Sequence, residues 1–163
     1  MQLPRTPSSV LKAITNNDLT ALSGQAQVSA RRRANANLHA ELSDPIQRLA
    51  IAMEPDTLIP PHRHPQTWEV LTSLRGRFTV LMCDDTGTVI ERAVMGEGAS
   101  VVEIPAGGWR AVLSHDTGGV IFEVKHGPYG PIGHEDVATC SMGRSADARR
   151  SWCTVAQLGQ RIA

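Results

Sequence analysis

Nine consecutive residues, Pro61-His62-Arg63-His64-Pro65-Gln66-Thr67-Trp68-Glu69, hold the densest chemistry in this chain. His62 and His64 stand at i and i+2, so on an extended backbone both imidazoles project from one face. Glu69, a little further along, can close on them from an adjoining strand. Two imidazoles and a carboxylate make a compact N,N,O set that suits zinc, iron, nickel, copper or manganese and leaves positions open for water or substrate. The spacing alone is weak, because among six histidines a His-x-His pair is more often a solvated surface pair than a ligand pair. Its meaning depends on which elements carry the three side chains.

Residues 46–125 read almost wholly as strand and turn. Strands are expected over 46–53, 57–64, 68–74, 77–83, 88–95, 101–104, 110–115 and 119–125, separated by Gly-, Asp- and Pro-rich turns such as Asp84-Asp85-Thr86-Gly87 and Pro105-Ala106-Gly107-Gly108. Short strands with this turn chemistry imply an antiparallel sandwich or barrel. Pro60 and Pro61 mark the 57–64 run as an edge or bulged strand. Ahead of the series, residues 31–39 alternate: Arg31, Arg33, Asn35, Asn37 and His39 share one parity, and Ala34, Ala36 and Leu38 the other. That pattern is a strand whose polar face meets either solvent or a ligand cavity. Asn17 is placed to cap a short helix with Leu19, Leu22 and Ala26 on one face. After Gly127-Pro128-Tyr129-Gly130-Pro131 a loop is expected over 133–147. Trp152, Val155, Ala156 and Gly159 then keep helical spacing, which suggests a C-terminal helix lying on the barrel or on a second subunit. The chain divides into an N-terminal helical segment (1–30), a barrel (31–131) and a tail (132–163).

His62-x-His64-x4-Glu69-x6-Gly76 resembles the first motif of the cupin superfamily, and Pro105-x-Gly107 resembles the start of its second, Pro-x-Gly-x2-His. The resemblance implies an all-β, cupin-type double-stranded β-helix, a jelly-roll barrel, with His62, His64 and Glu69 as metal ligands. RRRANANLH, DPIQRL, PPHRH, WEVLTSLRGRF, VEIPAGGW and FEVKHGPYGP are also similar to stretches of the WbuC family of cupin-fold metalloproteins, over roughly residues 15–131. That likeness implies a small bacterial barrel, a bound divalent metal ion (zinc, iron, nickel or manganese) and a homodimer. Members of the family often accompany O-antigen sugar biosynthesis genes, but their reaction is not established. The likeness therefore names no substrate.

One departure matters. Where the second motif places its histidine, three residues after Gly107, this chain has Arg110. A guanidinium keeps its proton at physiological pH and cannot ligate a metal. At ~4 Å from a divalent ion it would be repelled by roughly 8 kcal/mol at an effective dielectric of 20. Either Arg110 swings away and leaves a weakened three-ligand site, or it pairs with Glu69 and turns a metal centre into an anion pocket. His39 can substitute as a ligand if its strand lines the cavity, whereas His115 has the opposite parity to Arg110.

Arg33, Asn35, Asn37, His39, Arg48 and Arg110 are the candidate pocket residues. Glu123, Lys125 and Tyr129 are the candidate acid/base groups. Glu123 and Lys125 alternate with Val120, Phe122 and Val124, so they face either solvent or the cavity. His126 and His134 read as surface residues. Two functions follow. One is a metal-dependent reaction on a sugar or other small polar metabolite. The other is a metal-free module binding an anion through Arg33, Arg48 and Arg110. A barrel with a vestigial cavity is the third possibility.

Composition narrows the partners. Lys plus Arg and Asp plus Glu both number 16 and the pI is about 7.0, which argues against a nucleic-acid surface; Arg31-Arg32-Arg33 is too short to reverse that. Cys83, Cys140 and Cys153 are odd in number and lack C-x-x-C spacing, against both a disulfide framework and a thiolate zinc site. Reduced thiols, no signal-peptide pattern and no run of ~18 apolar residues make a cytoplasmic protein with no membrane partner the expectation. At 163 residues one domain can bury enough apolar surface to fold without staples.

Overall fold

The computed structural model describes residues 11–57, 59–138, 147, 151 and 155–161. Its first element is α1 (Asn16–Val28), which buries Leu19, Leu22, Ser23 and Ala26 along one face. The cap is Thr15, not Asn17. Thr15 Oγ1 accepts from the Asp18 N–H, and the Asp18 carboxylate accepts from the Thr15 N–H at 2.7 Å, a reciprocal pair that Asn17 cannot make.

Among the described residues eight strands follow: β1 (Arg33–Asn37), β2 (Ile46–Met53), β3 (Glu69–Arg75), β4 (Phe78–Cys83), β5 (Val89–Met95), β6 (Val101–Ile104), β7 (Trp109–Ser114) and β8 (Gly119–His126). They form a five-stranded sheet in the order β1-β2-β8-β3-β6 and a three-stranded sheet in the order β5-β4-β7, with every pairing antiparallel. Met53, Leu71, Phe78, Val80, Met95, Ile104 and Ile121 meet between the sheets as the central core. The alternate residues Ala50, Ala52 and Val120 point outward, where α1 covers them with Leu19, Leu22 and Ala26. On the far side, the outward face of the small sheet (Leu81, Cys83, Ala111, Leu113) is buried together with Ala156. Both motif glycines hold left-handed backbone, Gly76 at φ 78° and Gly107 at φ 77°, a conformation open to Gly at little cost.

The strand expected over 57–64 does not form among the described residues of that range. Pro60 and Pro61 have no N–H to donate to a ladder. Instead His62 alone bridges Arg110, giving its N–H to the Arg110 carbonyl at 3.0 Å and accepting from the Arg110 N–H at 2.9 Å. The stretch 134–138, a 3-10 turn (His134–Asp136) and its exit, ties down the other edge: Arg63 N–H bonds Asp136 O, and Ala138 N–H bonds Pro61 O. The helix expected on Trp152, Val155, Ala156 and Gly159 falls partly outside the described residues, and within them it does not extend to Ala156 and Gly159: Gly159 turns at φ 82° and the chain there bonds Val89 of β5 instead. No helix among the described residues is long and apolar enough to cross a membrane.

Candidate functional site

Between the two sheets lies a cavity of about 540 Å³. Period-2 alternation decides what lines it. From β1 come Arg33, Asn35 and Asn37, continued by Arg31 before the strand and His39 after it; from β8 come Ile121, Glu123 and Lys125. Glu69 and Leu71 enter from β3, Arg110 and Val112 from β7, and His62 and His64 from the stretch between β2 and β3. The sheet register sets these groups in rows, Gln47–Lys125–Glu69 in one and Asn37–Leu49–Glu123–Leu71 in the next. Arg48 is a correction to the sequence reading. Its parity on β2 is that of Ala50 and Ala52, so it leaves the cavity, stands 46% exposed and reaches Asp44 at 3.7 Å.

The centre is a chain of charge. Arg110 is 1% exposed and its guanidinium lies 2.6 Å from Glu69 Oε2. The other carboxylate oxygen, Oε1, accepts from His64 Nε2 at 2.9 Å and lies 3.6 Å from Lys125 Nζ. Lys125 in turn reaches Glu123 at 2.9 Å. His62 bonds the Pro60 carbonyl through Nδ1 at 2.9 Å, so Nδ1 carries its proton, and its ring meets that of His64 edge-on at 5.3 Å between centroids. Arg63 anchors this segment through Asp136 at 2.8 Å and through the face of Trp109.

The electrostatics follow from that packing. Burial would raise the Glu69 carboxyl, but the His64 hydrogen bond and the charges of Arg110 and Lys125 outweigh it and hold Glu69 at about 2. Burial, reinforced by Arg110, pushes His62 down to about 4, so it is neutral near pH 7. Glu123 moves upward because it is buried and faces the Glu69 charge. Lys125 moves upward despite burial, because Glu123 and Glu69 hold its proton.

A divalent metal does not fit this donor set as it is arranged. A carboxylate that already takes a guanidinium on one oxygen and an imidazole N–H and an ammonium on the other has no oxygen turned toward a further cation. His64 Nε2 bears the proton it gives to Glu69, so it offers no lone pair to an ion. Among the described residues no three His, Cys, Asp or Glu side chains converge as a metal-holding group. Of the two outcomes open for Arg110, the geometry is that of pairing with Glu69.

A domain family described as "Domain of unknown function (DUF6016)" matches residues 14–95, half of the chain. This chain belongs to the DUF6016 family. The matched span holds α1, β1 to β5 and the His62–Glu69 stretch, and stops short of Pro105 and Arg110. A search of curated proteins found no match. Solved structures share the fold, which is that of the cupins. The BH2720 protein of Bacillus halodurans aligns at 18% identity with a TM-score of 0.52, over 79% of this chain and 91% of its own. DMSP lyase DddQ from Ruegeria pomeroyi DSS-3 aligns at 22% and 0.51, over 69% and 54%. A recombinant oxalate oxidase in complex with glycolate aligns at 14% and 0.51, over 78% and 74%.

In this cupin-fold DUF6016 protein the cavity gathers His62, His64, Glu69, Arg33, Asn35, Asn37, His39, Arg110, Glu123 and Lys125, while Tyr129 stands half-exposed at its mouth. Sequence reasoning missed the apolar lip beside it, Leu42 and Ile132. That lip comes from two loops joined by a hydrogen bond from Tyr129 N–H to Leu42 O at 2.8 Å, and no periodicity announces such a contact. Arg31 shares the β1 parity and was within reach of the same signal.

Proposed function

We propose that this protein binds a small polar or anionic molecule in its barrel without a metal, with Arg110 supplying the fixed positive charge beside Glu69. The 2.6 Å pair between a fully buried guanidinium and the motif carboxylate is the observation that supports this. A dication on the same carboxylate would meet two protein cations already there. The cavity wall carries Arg31, Arg33, Arg110 and Lys125 against Glu69 and Glu123, a surplus of positive charge that suits an anion. If the bound molecule also reacts, Glu123 and Lys125 are the groups placed to move a proton, since burial and close pairing tune them away from their ordinary ranges. WbuC kinship belongs to this reading: RRRANANLH builds the β1 wall, WEVLTSLRGRF β3, and FEVKHGPYGP β8 and the mouth loop. A homodimer belongs to it too, with Leu74 and Val101, both exposed, as the apolar contacts; sedimentation at two concentrations checks it.

The test is a metal titration of the native protein and of Arg110→His. Protein purified without chelator carries only trace metal and takes up zinc or iron weakly. Restoring the imidazole tightens that affinity by roughly tenfold or more. Stoichiometric metal in the native protein, or no gain in the variant, would reject the reading.

A further inference from the structure

We propose that the cavity takes a small hydroxyl compound built on an apolar carbon skeleton, its hydrocarbon seated on an aliphatic floor beneath the charged centre and its hydroxyl given to His62 Nε2. This rests on reading the cavity as a metal-free binding pocket and adds the class of molecule and the residue that selects it.

On four of the strands that line the cavity, the inward positions turn from polar to aliphatic. On β2 they run Gln47, Leu49, Ile51; on β3 Glu69, Leu71; on β7 Arg110, Val112; on β8 Lys125, Glu123, Ile121. The register keeps these steps level within the large sheet, since Leu49 faces Glu123, Glu123 faces Leu71, and Ile51 faces Ile121. Successive inward positions lie roughly 7 Å apart, so the floor begins about one step below Glu69 and Arg110. Leu49, Ile51 and Val112 are only half-buried although they point between the sheets, and the surface they leave bare faces the cavity. Ile59, also half-buried, joins them from the stretch that carries His62. Water finds no hydrogen-bond partner on such a surface, and each methylene buried there is worth roughly fourfold in affinity. A sugar fits it badly, because hydroxyls pressed against these side chains go unpartnered.

His62 sets the polar end. Its Nδ1 gives its proton to the Pro60 carbonyl at 2.9 Å, so Nε2 presents a lone pair. Among the described residues that Nε2 has no hydrogen-bond partner, and it is not one of the side-chain nitrogens sealed from solvent: His62 is half-buried and lines the cavity. An accessible acceptor calls for a donor on the ligand. The Glu69 carboxylate already takes Arg110, His64 and Lys125, so a ligand hydroxyl has His62 as its acceptor there. The His62 backbone bridges Arg110, and Val112, two residues on, belongs to the floor, so acceptor and floor adjoin.

The test titrates the full chain with benzyl alcohol, mandelate and D-glucose, by calorimetry and NMR. The first two are each paired with a similar probe that has no hydroxyl to donate: anisole for benzyl alcohol, phenylacetate for mandelate. At least one of benzyl alcohol and mandelate binds, the choice telling a neutral ligand from an anionic one. It binds roughly tenfold more tightly than its hydroxyl-free counterpart, the effect of about one hydrogen bond left unmade, and D-glucose binds far more weakly. His62→Phe keeps a ring and loses the lone pair. In that variant the tenfold preference falls toward one while the hydroxyl-free probe binds as before, which a folding defect would not allow. Val112→Thr, similar in shape but polar, weakens both members of the pair alike, by roughly threefold or more. The assignment is overturned if neither hydroxyl probe binds, if D-glucose binds equally well, or if His62→Phe leaves the preference unchanged. Metal stoichiometry is read on the same samples: trace metal with any of those results sinks the hydroxyl compound alone, and a full equivalent of metal sinks the metal-free pocket beneath it.

Discussion

Glu69 sits 5% exposed with Arg110, His64 and Lys125 around a single carboxylate. Removing its charge leaves Arg110 desolvated without a counter-ion, and breaking a buried pair by one partner costs about 3–5 kcal/mol. Glu69→Gln is expected to lose that much in urea unfolding, and Glu69→Gln with Arg110→Met to recover much of it; a double mutant as unstable as the single would show that the pair is not the source. The same environment sets an acid response. Unfolded His62 takes a proton below about pH 6.5 but folded His62 only near 4, so the unfolded chain binds more protons in that window and stability falls as pH drops through it. Below about 4.5 Glu69 adds to the loss as pH falls toward 2, because its folded value is depressed. The His62 contribution is about 3 kcal/mol as an order of magnitude. His62→Gln should therefore flatten the stability profile between pH 6.5 and 4, and an unchanged slope would assign it to other groups.

At the scale of elements, what could be read in advance was what local pattern encodes. Alternation placed Arg33, Asn35 and Asn37 on one face of β1, and the strand over 46–53 was read to its ends. Alternation says which residues share a face and not which face meets the cavity. That is why Arg48, one residue out of phase with Gln47 and Leu49, was misassigned. The Thr15–Asp18 box was missed because Asn17 is also a good capping residue and only the backbone turn chooses between them. That choice has a measurable consequence: Thr15→Ala should cost about 1 kcal/mol and the exposed Asn17→Ala a few tenths at most. Equal losses would return the cap to Asn17. The Glu69–Arg110 pairing spans two sheets, and no spacing in the sequence could distinguish it from an Arg110 turned away.

At the scale of the molecule, each sheet has an outer face that something must cover, and the cavity survives because those covers lie outside the barrel. α1 takes the outer face of the five-stranded sheet. On the three-stranded sheet, Ala156 lies at 0% exposure against Leu81, Cys83, Val89, Ala111 and Leu113, and the segment is stitched to β5 by Val89 N–H to Gln160 O at 2.7 Å and Gly159 N–H to Val89 O at 2.8 Å. The inward residues of β7, Arg110 and Val112, face the opposite way, into the cavity. Cover and pocket are therefore separable. A carboxylate introduced by Ala156→Glu has no partner in that apolar cluster and should lift the segment instead of accepting burial. Cys83, 4% exposed beneath it, then becomes accessible. With Cys140 and Cys153 replaced by Ser so that a single thiol reports, Ala156→Glu should speed the reaction of Cys83 with a thiol reagent by roughly tenfold or more, since reactivity follows local opening. Binding in the cavity should change far less, because the described residues that cluster with Ala156 (Leu81, Cys83, Val89, Ala111 and Leu113) are not among those lining the cavity. A thiol that stays protected would mean that other parts of the chain cover this face. A binding affinity that collapses in parallel would mean that the small sheet cannot hold Arg110 in place without its outer layer.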